Sequence, residues 1–314
     1  MSVFGSSKLL LAGVIAAAAI GLGPALGQEK YDLSPDTSNR VRAERNEAAI
    51  KAIAPDFKFV TPGKFTVAIS PWDPPIGTYA TDSKTVVGAD PDLSSLLADS
   101  LGLELELVPI AWADWPLGVS SGKYDAVISN VTVTEERKEK FDFSTYRKDV
   151  LAFTVKADSP ITSIKEPKDV AGLRVITGAG TNQEKIILEW DRENVAAGLK
   201  PIEVQYYDDR AAADLALQAG RAEAEFNPNS TRAYAASIKK DTKVVGIVSG
   251  GWPLTAEIAV TTRKGAGLAD AITIAINDLI KNGKYGEVLK RWSISDEAVE
   301  ASQTNPPGLP KSGS

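Results

Sequence analysis

Residues 122–146, GKYDAVISNVTVTEERKEKFDFSTY, leave few folds open to this chain. Gly122 makes a tight turn, and Ala126, Val127 and Ile128 form a short apolar run that predicts a buried strand. Ser129, Asn130 and Thr132 follow at its carboxyl end, which is where open α/β sheets place their ligands. Thr134 is set as an N-cap before Glu135, Glu136 and Arg137. Hydroxyls, an amide and a guanidinium therefore meet at one strand-to-helix corner. Arg137 brings planar, paired donors that match a carboxylate.

At 314 residues the chain is expected to hold about two domains. Lys8, an apolar stretch over 9–23 and the small-x-small site Ala25-Leu26-Gly27 predict a secretory signal peptide over residues 1–27. That stretch is too short and wrongly flanked for a membrane span, so a soluble periplasmic protein is expected. The sequence has no cysteine, which excludes disulfides, thiol catalysis and a lipid-acceptor cysteine. It has no histidine either, which removes the ordinary zinc site and the Ser-His nucleophile. No metal and no cofactor are expected. A formal charge of −6, with no basic stripe, excludes an ordinary nucleic-acid binder.

Residues 28–61 are a polar N-terminal extension, with a surface helix expected within 39–53 and ended by Pro55. The first strand is predicted over 64–70, and the loop Pro71-Trp72-Asp73-Pro74-Pro75 follows it. Asp90 is the expected N-cap of a helix with Pro91 at its first position, and Gly102 ends that helix. Strands are predicted over 103–108, 150–155, 173–177, 204–207, 244–249 and 257–262. Trp115, on the helix after Trp112, is expected in the core. Thr181 and Glu184 form a capping box behind Gly178 and Gly180, and such a helix N-terminus attracts anions. The spacing of those glycines fits neither a dinucleotide loop nor a phosphate loop. Asp208 or Asp209 caps a helix that runs to Gly220. Glu225 alternates with Phe226 and Asn227, facing either the cleft or, preferentially, solvent. An amphipathic helix over 268–281 and a closing helix pair around Tyr285 and Trp292 complete the order, with an irregular tail over 301–314.

The run from Gly122 to Tyr146 resembles the carboxylate-binding corner of the family 3 solute-binding proteins, the amino-acid receptors of ABC transporters. Their pattern reads roughly DA-x-x-SG-x-T-x-T-x-ER-x-x-x-x-DFS, and Asn130 stands here where glycine is common. The resemblance extends over about 64–292. It implies a two-lobed α/β periplasmic-binding-protein fold of type II, with two hinge strands and a cleft between the lobes. It divides the chain into a first lobe over 62–152, a second lobe over 153–249 and a hinge return with the rest of the first lobe over 250–300. It implies hinge closure on a small carboxylate, an amino acid or derivative, and delivery to a membrane permease by a protein that is not an enzyme and acts as a monomer. Ligand contacts carried over are Arg137, Thr132, Asn130, Thr181, Asn182, Trp72, Asp73, Trp112 and Asn229. One position departs from the family: Pro228 stands where an aspartate binds the α-ammonium group. Either the ligand lacks a free ammonium or another acid, Asp73, takes over. Trp72, Trp112 and Trp252 suggest a bulky, planar or cationic group. Alternatives on the same scaffold are an enzyme resembling cyclohexadienyl dehydratase, with Asp73 or Glu225 as its acid, and a ligand-sensing subunit.

Overall fold

The computed structural model describes residues 31–207 and 209–311; the expected signal peptide lies outside them. Helix α1 (Glu47–Ala52) precedes β1 (Lys64–Ile69), the small strands β2 (Thr78–Tyr79) and β3 (Val86–Val87), α2 (Ala89–Leu101) and β4 (Glu104–Pro109). Then come α3 (Trp115–Ser120), β5 (Ala126–Val127), α4 (Glu135–Lys138) and β6 (Phe141–Lys148). The chain crosses over through β7 (Val150–Lys156) and builds β8 (Arg174–Thr177), α5 (Asn182–Ala196), β9 (Glu203–Tyr206), α6 (Arg210–Gln218), β10 (Ala224–Pro228), α7 (Asn229–Lys239) and β11 (Thr242–Ser249). It returns through β12 (Glu257–Arg263) and closes with α8 (Ala269–Lys281) and α9 (Lys284–Arg291).

Two five-stranded sheets result, ordered β4-β1-β5-β12-β6 and β11-β7-β10-β8-β9. β1 pairs in parallel with both β4 and β5, and its last five residues are buried, as a strand covered on both faces requires. β12 joins the first sheet antiparallel to β5 and β6, so the chain's last third completes the lobe that its first third began. Each sheet has its own core: Leu96, Leu97, Ile272, Ile276 and Trp292 in the first, Phe153, Trp190 and Phe226 in the second. This is the two-lobed arrangement, and Asp149 stands alone between the strands of the first crossing.

Several local expectations are corrected. Gly88, not Asp90, is the N-cap of α2; Asp90 is fully buried inside the first turn. Of the expected extension helix only Glu47–Ala52 forms, capped by the Asn46 side chain. Helix α7 has no counterpart in the sequence reading. The described residues of the tail, 301–311, form no helix, yet they are fastened: Asn305 donates its N–H to the Phe143 carbonyl at 2.9 Å and Leu309 to the Val133 carbonyl at 3.1 Å. Trp252 packs edge-on against Trp190 on the second core, which spares it for packing and not for ligand bulk.

Candidate functional site

The carboxyl end of β5 turns through Asn130, whose φ of 54° is left-handed. Glycine enters that region freely and asparagine is among the side chains that tolerate it, which explains the exchange at this position. The turn is held from behind. Asn130 donates its N–H to Asp90 Oδ2 at 3.1 Å, and its side-chain oxygen accepts from Arg147. Arg147 also pairs with buried Glu297, and Tyr146 donates its hydroxyl to Asp90 at 2.9 Å. The Asn130 oxygen is thus engaged inside the first lobe.

Thr134 caps α4 by accepting the Arg137 N–H at 3.1 Å, which fixes where Arg137 starts. Its guanidinium then donates to the Thr132 carbonyl at 2.9 Å and, across the cleft, to the Gly180 carbonyl at 3.2 Å. It lies over Trp112 at 6.0 Å and Trp115 at 5.6 Å. Trp115 is buried, as expected, whereas Trp112 is half-buried and approaches Gly180 of the other lobe. Among the described residues Arg137 makes no ion pair within 4.0 Å; Glu135 pairs instead with Lys138, and Asp142 with Lys264. Burial pushes the guanidinium down to about 10, against the opposing pull of Asp149 and Glu136. A cation so desolvated is stabilised by an anion brought to it.

Asp149, at the crossing, is buried and accepts the Thr132 hydroxyl at 2.7 Å. Burial raises its carboxyl, offset by Thr132, Arg147 and Arg137. Across the cleft, Thr181 caps α5 by accepting the Glu184 N–H at 3.2 Å. The reciprocal half of the box goes elsewhere, since Glu184 accepts from Gly180 N–H at 2.6 Å and not from Thr181. Asn182 donates its amide to the Gly250 carbonyl in the second crossing. The side chains of Thr132 and Asn182 thus tie to the two crossings, while Thr181 is engaged within its own lobe by Glu184 and the Gly178 carbonyl.

The far end of the cleft is charged throughout. Trp72 is 38% exposed, with the Arg210 guanidinium 5.9 Å above its ring. Asp73, from the first lobe, pairs with Arg232 of α7 and lies 3.8 Å from Arg210 of α6. Glu225 is a correction: it is 1% exposed, not in solvent, and binds Arg210 together with Arg232 at 3.0 Å. Asn227 donates to Glu225 at 2.7 Å and accepts from Gln183 at 3.3 Å, while Pro228 and Asn229 are half-buried where β10 passes into α7. Arg210, Arg232 and Asp149 were missed in the sequence, because a lone arginine or aspartate without a motif carries no signal of its partners.

Over residues 65–295 the chain matches the family model of bacterial extracellular solute-binding proteins, family 3. The L-cystine-binding protein TcyJ of Escherichia coli strain K12 is 32% identical over 236 residues, 74% of this chain and 84% of that protein. A solved ancestral arginine-binding protein bound to arginine superposes with a TM-score of 0.64 at 29% identity, over 73% of this chain and 98% of its own. An ancestral amino-acid-binding protein described as a precursor of cyclohexadienyl dehydratase gives 0.63 at 26% identity, over 73% and 95%. With its two sheets, its double crossing and a family match that spans both, this chain belongs to the bacterial extracellular solute-binding proteins, family 3.

Proposed function

We propose that this protein is the substrate-binding component of an amino-acid ABC transporter, working outside the inner membrane as a monomer. Its cleft receives the carboxylate of an amino acid or amino-acid-like ligand on Arg137 and presents the closed form to a permease. The single observation that carries this reading is Arg137 itself: a half-buried guanidinium over two tryptophans, ion-paired to nothing among the described residues and held by two carbonyls at the seam of the lobes. Thr132, Thr181, Asn182 and Asn130 shape that end, and Trp112 covers it. Trp72, Asp73 and Asn229 stand toward the other end. The named relatives bind cystine, arginine or other amino acids, which supports binding over catalysis.

Hinge closure follows from the crossings, where Asp149 and Gly250 are bonded to each other at 2.9 Å and Asp149 to Ala256 at 2.9 Å. The test is calorimetric titration of cystine, arginine, glutamine and glutamate into the wild type and Arg137→Ala. A hydrogen bond to a charged group is worth about 1.5–3 kcal/mol, so the variant is expected to lose about tenfold to a hundredfold in affinity or more. An amino acid that binds equally well to both proteins would remove the carboxylate clamp.

A further inference from the structure

A free α-ammonium finds little welcome at the far end of this cleft. Both oxygens of Glu225 are taken: Oε1 by Arg210 and Asn227, Oε2 by Arg210 and Arg232 at 3.0 Å each. Asp214 is held by Arg210 and Lys239, and Asp73, the carboxylate that the first lobe brings to this corner, already holds Arg232 with Arg210 beside it. Within the second lobe the guanidiniums of Arg210 and Arg232 face the carboxylates of Glu225 and Asp214, and half-exposed Lys239 lies beyond Asp214. Asp73 comes from the first lobe and moves away with it when the cleft opens. Arg232 then keeps only Glu225, a carboxylate that it shares with Arg210. The place that Asp73 leaves on Arg232 is one that fits a carboxylate.

The second lobe's wall is also continuous with the carboxylate end. Arg137 touches Gly180, α5 starts two residues later, and Gln183 bonds Asn227, which bonds Glu225, which bonds Arg232. This belt of hydrogen bonds runs along the second lobe from the neighbourhood of Arg137 to Arg232.

We propose that Arg232, supported by Arg210, is a second anion-recognition element, and that the ligand of this cleft is a diacid with one carboxylate on Arg137 and the second on Arg232. The inference rests on the reading of Arg137 given above. Asp73 then competes with the ligand's second carboxylate for Arg232, and no free ammonium is needed for binding. The guanidinium fork suits a carboxylate bidentately, and the position emptied of the family's aspartate at Pro228 no longer opposes a negative group.

The test is a set of matched probes titrated calorimetrically: L-glutamate and L-glutamine, L-aspartate and L-asparagine, and the N-acetyl derivatives of each. Within each pair the acid is expected to bind at least about tenfold tighter than its amide, which is about 1.4 kcal/mol. Acetylation of the amine is expected to change affinity by less than about threefold, roughly 0.6 kcal/mol. Arg232→Gln should erase the acid-over-amide preference. Because that variant leaves Glu225 short of a partner and risks misfolding, Asp73→Asn supplies the second arm. Removing the competing carboxylate should tighten binding of the acids, whereas loss of an ammonium partner would weaken it. Amides that bind as well as acids, acids that do not bind at all, or weaker acid binding by Asp73→Asn would each overturn the diacid. An amide that binds and is lost in Arg137→Ala sinks the diacid while leaving the carboxylate clamp standing. Acid binding that ignores Arg137→Ala removes the clamp itself.

Discussion

Arg137 and Gly250 show how single positions trade stability for geometry. Burial lowers the Arg137 guanidinium toward 10, which means that the folded protein holds this charge in an unfavourable place. Function and stability diverge at such a position. Arg137→Met is therefore expected to unfold at the same temperature as the wild type or slightly above it, even as ligand binding is lost; a drop of several degrees in a calorimetric scan would contradict this. Gly250 is the opposite case, since a Cβ there would collide with the Asp149 carboxyl. Overpacking of a tight site costs about 1–3 kcal/mol. Gly250→Ala should lower the denaturation midpoint by that amount or displace the crossing and weaken binding, and a neutral result would show that the carboxyl can move. Asn130 was legible in the sequence as a residue of the corner but not as one turned inward to Arg147, because its orientation is set by a left-handed backbone and a distant partner.

Elements were legible where apolar periodicity or a cap announced them, and hidden where polar residues do the packing. Strands β1, β4, β5, β7, β8, β9, β11 and β12 and helices α2, α5, α6, α8 and α9 stand within a few residues of where they were expected, since alternation and helical spacing place their cores, whereas β2, β3, β6 and β10 were not expected. Helix α7 escaped because the side chains it buries include Ser230, Thr231 and Arg232, which periodicity treats as surface. Arg232 is buried with Glu225, seven residues before it, and Asp73, far off in the chain, to neutralise it. The tail escaped for a related reason: its attachment is made by backbone bonds and polar side chains such as Asn305 and Thr304, which composition does not reveal. Thr145 donates its N–H to the Gln303 carbonyl at 3.1 Å and accepts the Gln303 N–H on its hydroxyl at 3.0 Å, and Glu135 donates to the Leu309 carbonyl at 2.8 Å. With the bonds from Asn305 and Leu309 that makes four backbone links to Val133, Glu135, Phe143 and Thr145. At a net 0.5–1.5 kcal/mol each, truncation after residue 301 is expected to cost roughly 2–6 kcal/mol. Chemical denaturation of the shortened chain checks this, and an unchanged midpoint would show that the tail merely lies against the lobe.

Across the whole molecule the two lobes meet at separated points around the cleft. Arg137 bonds Gly180, Asp73 pairs with Arg232, Lys185 pairs with Glu136, and Tyr31 of the N-terminal segment stacks on Tyr234 at 4.4 Å while donating to the Trp292 carbonyl at 2.8 Å. The Asp73 and Glu136 contacts both depend on pH, with opposite signs. Burial raises the Asp73 carboxyl above the ordinary 3.8, and the attraction of Arg232 and Arg210 does not fully offset this; Glu225 and Asp214 add to the rise. With the lobes apart the same carboxyl is solvated and near its ordinary value. A group that holds its proton more tightly in the closed arrangement favours that arrangement as protons are added. Asp73 therefore favours closure as pH falls through the range just above 3.8 and its charge opposes closure at neutral pH, whereas Glu136, held low by Lys185 across the cleft, favours closure above its own range and loses that contribution as pH falls. Glu225 does not reverse the Asp73 effect: despite burial its carboxyl is held low by Arg232 and Arg210, which share its lobe and travel with it. Replacing Asp73 by asparagine mimics the protonated form at every pH. Small-angle scattering at pH 7 should give Asp73→Asn a radius of gyration equal to or smaller than the wild type's, with the two converging as the wild type is acidified. A variant that is more expanded at pH 7 would mean that the ion pair with Arg232 outweighs desolvation, and that Asp73 is a clasp between the lobes and not a competitor for the second anion.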